Sequence, residues 1–361
     1  MQLVDWRVAT ATATTLVPPG PRLPLDRAVA TVEDLRRLAA EADRHVRAYT
    51  ALDPAGAAED VAVVDRPGWI RSNVEGFRTL LDPVLDTLAA NRKVSSLGPV
   101  VSAIGPRATG AEVGALLAYL ATRVLGQFEL LGPAPDESGE GGRLTLVAPN
   151  IVSTEQALGV DPHDFRLWVC LHEVTHRTQF AAAPWLHTHV RELLGSYLTA
   201  SDLDPHALLA RLRGALGSVG DVVRGRSDLS LIELVQTPEQ REVLEQVTGL
   251  MSLLEGHADV VMDGVGPDVV PSVAAIRERF EGRRRSGNPL ERLLRRLFGI
   301  EMKMKQYAEG AAFVRAVVDA VGMPGLNRVW SGPEMLPTAT EIRDPAAWLG
   351  RTATEPPAVT A

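Results

Sequence analysis

One stretch narrows the possible folds more than any other. Asp161-Pro162-His163-Asp164 combines a capping aspartate, a proline at the first helical position and an acid in the first turn. Behind it Phe165, Trp168, Val169, His172 and His176 recur three or four residues apart. This spacing predicts a helix whose buried apolar stripe runs straight into two histidines. The intervening residues read His172-Glu173-Val174-Thr175-His176, an HExxH pattern. Residues four apart are neighbours on a helix surface, so both imidazoles can reach one metal ion. Glu173 is rotated by about a hundred degrees from His172 and can face an ion-bound water as a general base.

A site of this kind uses three protein ligands and leaves one position open. The extended HExxHxxGxxH pattern fails, because Gln179 replaces its glycine and Ala182 its last histidine. The candidate for the third ligand lies in Leu254-Glu255-Gly256-His257-Ala258-Asp259, on a later helix with the stripe Val247, Leu250, Met251, Leu254, Ala258 and Met262. Glu255 and Asp259 border that stripe four residues apart. Glu255 as ligand and Asp259 as acceptor for a ligand imidazole account for both carboxylates; an ordinary helical salt-bridge pair is the competing reading. His257 falls on roughly the opposite face, as a neighbouring donor or a packed residue.

HExxH followed by Glu-x-x-x-Asp on a later helix resembles the gluzincin pattern, in which the glutamate is the third zinc ligand and the aspartate orients a ligand histidine. More narrowly, the chain resembles the family called zincin-like metallopeptidase type 2, whose members are often labelled as associated with biosynthesis of a deazaflavin coenzyme. The matching segments are Asp65-Arg66-Pro67-Gly68-Trp69, residues 171–177, Pro184-Trp185-Leu186, residues 255–263, Lys305-Gln306-Tyr307 and residues 325–330. They span roughly residues 5 to 350. The resemblance implies a zincin-type fold, a bound Zn²⁺ and metallohydrolase activity. The expected reaction is cleavage of a peptide or amide substrate by a zinc-activated water. The alternative is a zincin-fold metal-binding or regulatory protein without peptidase activity. No residue here speaks for a role in coenzyme synthesis.

The rest of the chain sets the frame. Its 361 residues are 45% hydrophobic and 23% charged, values of a folded globular protein. The fold class expected is mainly α (α+β), with a small sheet beside the HExxH helix. We expect one zincin-like chain over 1–361, with an N-terminal helical region at 1–140 and a metal-binding catalytic region at 141–345. Residues 1–25 are low in periodicity and read as an extended, docked or loose arm ending in Pro18-Pro19-Gly20-Pro21. Helices are expected from Thr31, with Leu35, Leu38, Ala39 and Ala42 inward, and after the turn at 65–69. A third is expected to open at the capping-box pattern Thr109-Gly110-Ala111-Glu112. A Gly/Pro-rich loop at 132–142 precedes a strand at 143–148, read either as an edge that pairs with extended substrate or as a purely structural strand. The last 25 residues are expected to wrap the surface or fray.

Tyr307 is a candidate donor to a transition-state oxyanion or, alternatively, a packing residue. Arg283-Arg284-Arg285 with Arg292, Arg295 and Arg296 form a basic run, read as a solvated face or an anion site. His187 and His189 are expected at the surface or in a cleft. The single cysteine, Cys170, excludes an intramolecular disulfide and a cysteine zinc cage and reads as a packed thiol. A net charge of −8 argues against an electrostatic nucleic-acid binder. No apolar run approaches the ~18 residues of a membrane span, and the opening residues lack a secretory pattern. A cytoplasmic location is therefore expected. Nothing in one chain fixes the oligomeric state.

Overall fold

The computed structural model describes residues 3–53, 61–90, 99–129, 142–200, 237–285 and 300–353. In chain order its elements are α1 (Trp6–Leu16), α2 (Leu25–Thr50), β1 (Ala62–Val64), α3 (Arg66–Ala90), α4 (Pro99–Leu120), β2 (Gly126–Phe128), β3 (Leu144–Val147), α5 (Ala148–Leu158), α6 (Pro162–Ala182), α7 (Trp185–Thr199), α8 (Pro238–Val265), α9 (Val273–Arg285) and α10 (Ile300–Leu326). Two short 3₁₀ turns, Asn327–Trp330 and Pro333–Met335, lead to α11 (Ala339–Arg343) and α12 (Pro345–Ala353). The expected architecture of helices with one small sheet is what the chain forms. No helix among the described residues is long and apolar enough to cross a membrane.

The chain forms two units. The first comprises Met1–Tyr49, Asp53–Arg191 and Val265–Ile276. Its sheet has the order β1-β3-β2. β3 runs parallel to β1, with Val63 opposite Leu146, and antiparallel to β2, with Gln127 opposite Thr145. All four residues of β3 are buried. This decides between the two readings of the 143–148 strand: both of its edges are already paired, so the sheet edge beside α6 belongs to β2 instead.

The N-terminal arm is also corrected. Residues 6–16 are the helix α1, capped by Asp5, whose carboxylate accepts from Arg7 N and Val8 N at 3.1 Å. Its buried face is Trp6 followed by Ala9 and Ala13, two small side chains that leave little hydrophobic signal. They suit a close neighbour. A Cβ on Gly110 of α4 would lie 2.4 Å from Asp5 O, and one on Gly114 would lie 2.5 Å from Ala9 O. The backbones of α1 and α4 therefore touch where both glycines stand. Thr109 is correspondingly inside α4 rather than at its start, because the chain from Pro99 is already helical. Pro106 is accommodated within that helix, and its carbonyl accepts Asp5 N at 2.8 Å. Pro18 is the part of the arm that is pinned in place. Arg66 donates to Pro18 O at 2.7 Å and to Asn150 Oδ1 at 2.7 Å.

The predicted stripe of α2 is inward, with Leu35, Leu38 and Ala42 fully buried. Trp69, Ile70 and Val74 of α3 join Trp6, Ala9, Leu117, Ala121 and Val147 in one core, with Phe77 and Leu81 against it.

The second unit comprises Thr50–Leu52, Glu192–Gly264 and Arg277–Ala361. Here α8 meets α10 backbone to backbone. A Cβ on Gly310 would lie 1.9 Å from Ser252 O, and one on Gly256 would lie 2.2 Å from the carbonyl carbon of Gly310. The expected loose tail is, as far as residue 353, two short helices. Thr338 and Glu341 form a reciprocal capping box, and Arg351 pairs with Glu341 at 2.7 Å. Trp348 is fully buried, donates to Met335 O at 2.9 Å and meets Phe313 edge-on. A single large aromatic anchor holds the segment that its Pro/Thr/Ala content suggested would fray.

Candidate metal centre

α6 begins as its sequence dictates, with Asp161 accepting Asp164 N at 3.0 Å and Pro162 in the first turn. Phe165, Val169 and Leu171 are buried, and the helix is locked in rotation by buried ions on both sides of its histidines. Arg166 grips Glu155 with two bonds of 2.7 and 2.9 Å and reaches Asp34 at 3.1 Å. Directly after the HExxH core, Arg177 meets Asp43 at 2.5 Å, and Asp43 is also held by Arg47 at 2.8 Å. Burial alone would raise the Asp34 carboxyl, but hydrogen bonds from Arg37 and Arg166 outweigh it and hold that group below its ordinary value. At Glu155 burial wins, and its carboxyl is raised despite Arg166.

Within this frame His172 and His176 are half-buried. Their rings stand nearly perpendicular, and the two Nε2 atoms are 3.2 Å apart. Two nitrogens bound to a tetrahedral ion at 2.0–2.1 Å would lie about 3.3 Å apart. The imidazole pair therefore fits such an ion with almost no adjustment. Glu173 is buried at 7% exposure and is covered by β2. A Cβ on Gly126 would lie 2.6 Å from Glu173 Cγ and 2.9 Å from its Oε1, so the strand passes directly over the carboxylate and a larger residue there would have to displace the Glu173 side chain. Two residues along, Phe128 stacks on Phe180 of α6 at 5.2 Å between centroids. His187, expected at the surface or in a cleft, is buried against both of these rings. His189 packs against Trp185. Cys170 is fully buried with its sulfur 3.8 Å from Leu35 O, and burial pushes its thiol well above the ordinary value.

In the second unit, Glu255 is half-buried on α8, whose inward residues include Leu250, Leu254, Ala258 and Met262 as the periodicity required. His257 is fully buried, its ring edge-on to Trp330 at 5.3 Å. The Asp259 carboxylate lies 3.6 Å from Arg277, which also bonds Asp263 at 2.8 Å. Tyr307 is on α10, with its side chain outside the described residues. So are the side chains of Arg283, Arg284 and Arg285, and all of Arg292, Arg295, Arg296 and the loop at 132–141. Asp161, His163 and Asp164 also bring ligand atoms within 4.8 Å of one another. These carboxylates serve structure: Asp161 caps α6 and Asp164 accepts Ser272 N at 2.8 Å.

Two residues of the site escape the sequence pattern. Gly126 is far from α6 in the chain and has no motif around it. Gln179 is visible there only as a departure from a longer motif. In the fold it is fully buried beside His176.

The model of the zincin-like metallopeptidase family matches residues 4–349. The chain belongs to this family, whose members usually bind zinc. It is also similar to a crystal structure described as "a putative hydrolase with a novel fold" from Chloroflexus aurantiacus. The two share 32% identity with a TM-score of 0.68, over 98% of this chain and 100% of the other. No curated protein matches.

Proposed function

We propose that the protein is a zinc-dependent hydrolase of peptide or amide bonds, with His172, His176 and Glu255 as the metal ligands. The observation that carries this reading is the 3.2 Å approach of two imidazole Nε2 atoms on a helix whose next carboxylate, Glu173, is buried alongside. Each of the three ligand candidates is half-buried and offers a nitrogen or a carboxylate oxygen. The family pattern supports Glu255 as the third donor and Asp259 as an orienting carboxylate on the same helix. The hydrolase from Chloroflexus aurantiacus adds support at the level of reaction class.

Bound zinc would lower the pKa of a water towards ~7 and polarise a scissile carbonyl. The chain supplies the proton handling. Glu173, held in place under β2, takes a proton from the attacking water at its carboxylate and delivers it to the leaving nitrogen. The close cover of Gly126 and the 7% exposure of Glu173 limit the access of bulk water to that carboxylate.

Two measurements test the reading. Plasma mass spectrometry should find about one zinc per chain in the wild type and less in Glu255→Ala. Peptide-library profiling should then give cleavage that Glu173→Gln reduces by roughly 10²–10⁴-fold, the usual contribution of a general base, with zinc content unchanged. A metal-free wild type overturns the site. Zinc without metal-dependent cleavage leaves a binding protein in place of a hydrolase.

A further inference from the structure

Gln179 stands three residues beyond His176 on α6 and is fully buried. Its Oε1 lies 3.0 Å from His176 Nδ1. An amide oxygen can only accept, so this contact favours the neutral tautomer with the hydrogen on Nδ1 and the lone pair on Nε2. That lone pair is on the side of the ring that approaches His172 Nε2. The opposite tautomer would present a hydrogen to any ion there, and the choice between the two is set by whatever bonds the other ring nitrogen.

We propose that Gln179 is a positioning residue that fixes the tautomer and ring plane of His176 with an uncharged acceptor. The proposal rests on the reading of His176 as a metal ligand. Orienting groups for ligand histidines are commonly carboxylates, backbone carbonyls or waters. The helix runs on through Ala182, so the amide is carried by rigid backbone rather than by a loop. The residue that ends the longer zincin motif's match is thus the residue that orients the second histidine.

The test compares wild type with Gln179→Leu, which keeps the volume and removes the acceptor, and with Gln179→Glu, which keeps the acceptor. Zinc affinity is read by competition with a fluorescent chelator. Nitrogen-15 spectra of histidine-labelled, metal-free protein read the tautomer of His176. The wild type should show a hydrogen on Nδ1. Gln179→Leu should lose that preference and bind zinc about 10–100-fold more weakly, while Gln179→Glu should restore both. Thermal unfolding of the metal-free variants reports packing separately. If Gln179→Leu matches the wild type in affinity and tautomer, the proposal falls while the metal site stands. If Gln179→Glu is as weak as Gln179→Leu, packing rather than hydrogen bonding is responsible and the proposal also falls. A wild type that takes up no zinc removes the metal reading itself, and this inference with it.

Discussion

α6 and α8 each carry proposed ligands, and they are fixed by opposite means. α6 is held by ions: Arg166 between Glu155 and Asp34, and Arg177 on Asp43, before and after the histidines. α8 is held by the absence of side chains, its Gly256 backbone lying against Gly310 of α10. Directional bonds to two sides fix a helix in rotation, which matters where two imidazoles four residues apart must aim at one point. A glycine contact fixes separation and tolerates little else, which suits a helix asked to present one carboxylate. The comparison teaches that rotational control appears where two side chains must converge.

Breaking each device should give effects of different size. The largest is expected from Gly310→Ala, since a Cβ 1.9 Å from a backbone oxygen can be relieved only by moving a helix. A loss of about 3 kcal/mol in urea unfolding is expected, at the upper end for overpacking. Arg177→Met should cost less, about 2 kcal/mol, because Asp43 is buried but keeps Arg47 and is not wholly stranded. The same denaturant curves check it, and a change below 0.5 kcal/mol would mean the ions do not hold α6. Gly126→Ala meets the flexible Glu173 side chain, so a stability loss of only about 1 kcal/mol is expected. Its larger effect should be on turnover, at least tenfold, with zinc content unchanged.

The smallest effect concerns acid. Asp34 has a lowered carboxyl pKa in the fold, so its contribution is present above its ordinary value of 3.8 and is lost as pH falls through the folded value. Glu155 is raised, so its contribution has the opposite sign, present below 4.5 and lost as pH rises through the folded value. Asp34→Asn should therefore flatten the decline of Tm between pH 4 and lower pH, and should also lessen the upward shift of Glu155, to which the Asp34 charge contributes. Parallel declines in mutant and wild type would sink this assignment.

What could be read from the sequence was local. The start of α6, its buried stripe and the HExxH spacing all follow from residues within a few turns, and the stripe of α8 likewise. Where the signal was small residues, it was lost: α1 is an alanine–threonine helix whose packing depends on Gly110 and Gly114, far along the chain. Where the answer was a partner, it was also lost. The place of β3 in the middle of the sheet depends on β1 and β2, and the cover over Glu173 depends on Gly126. His187 read as a surface or cleft residue because nothing nearby in sequence announces the two phenylalanine rings packed against it. The final aromatic anchor, Trp348, was outweighed by the composition around it.

The first unit also has a history written into its chain order. It leaves off at Arg191 and is completed only by Val265–Ile276, where Ser272 N reaches Asp164 at the head of α6. A ribosome adding roughly 5–20 residues per second needs on the order of 10 s to make the intervening chain. During that interval Asp164 in the first turn of α6 lacks its Ser272 partner while every residue of the HExxH motif has already been synthesised. The head of α6 thus receives its last hydrogen bond from a segment made well after the motif it precedes.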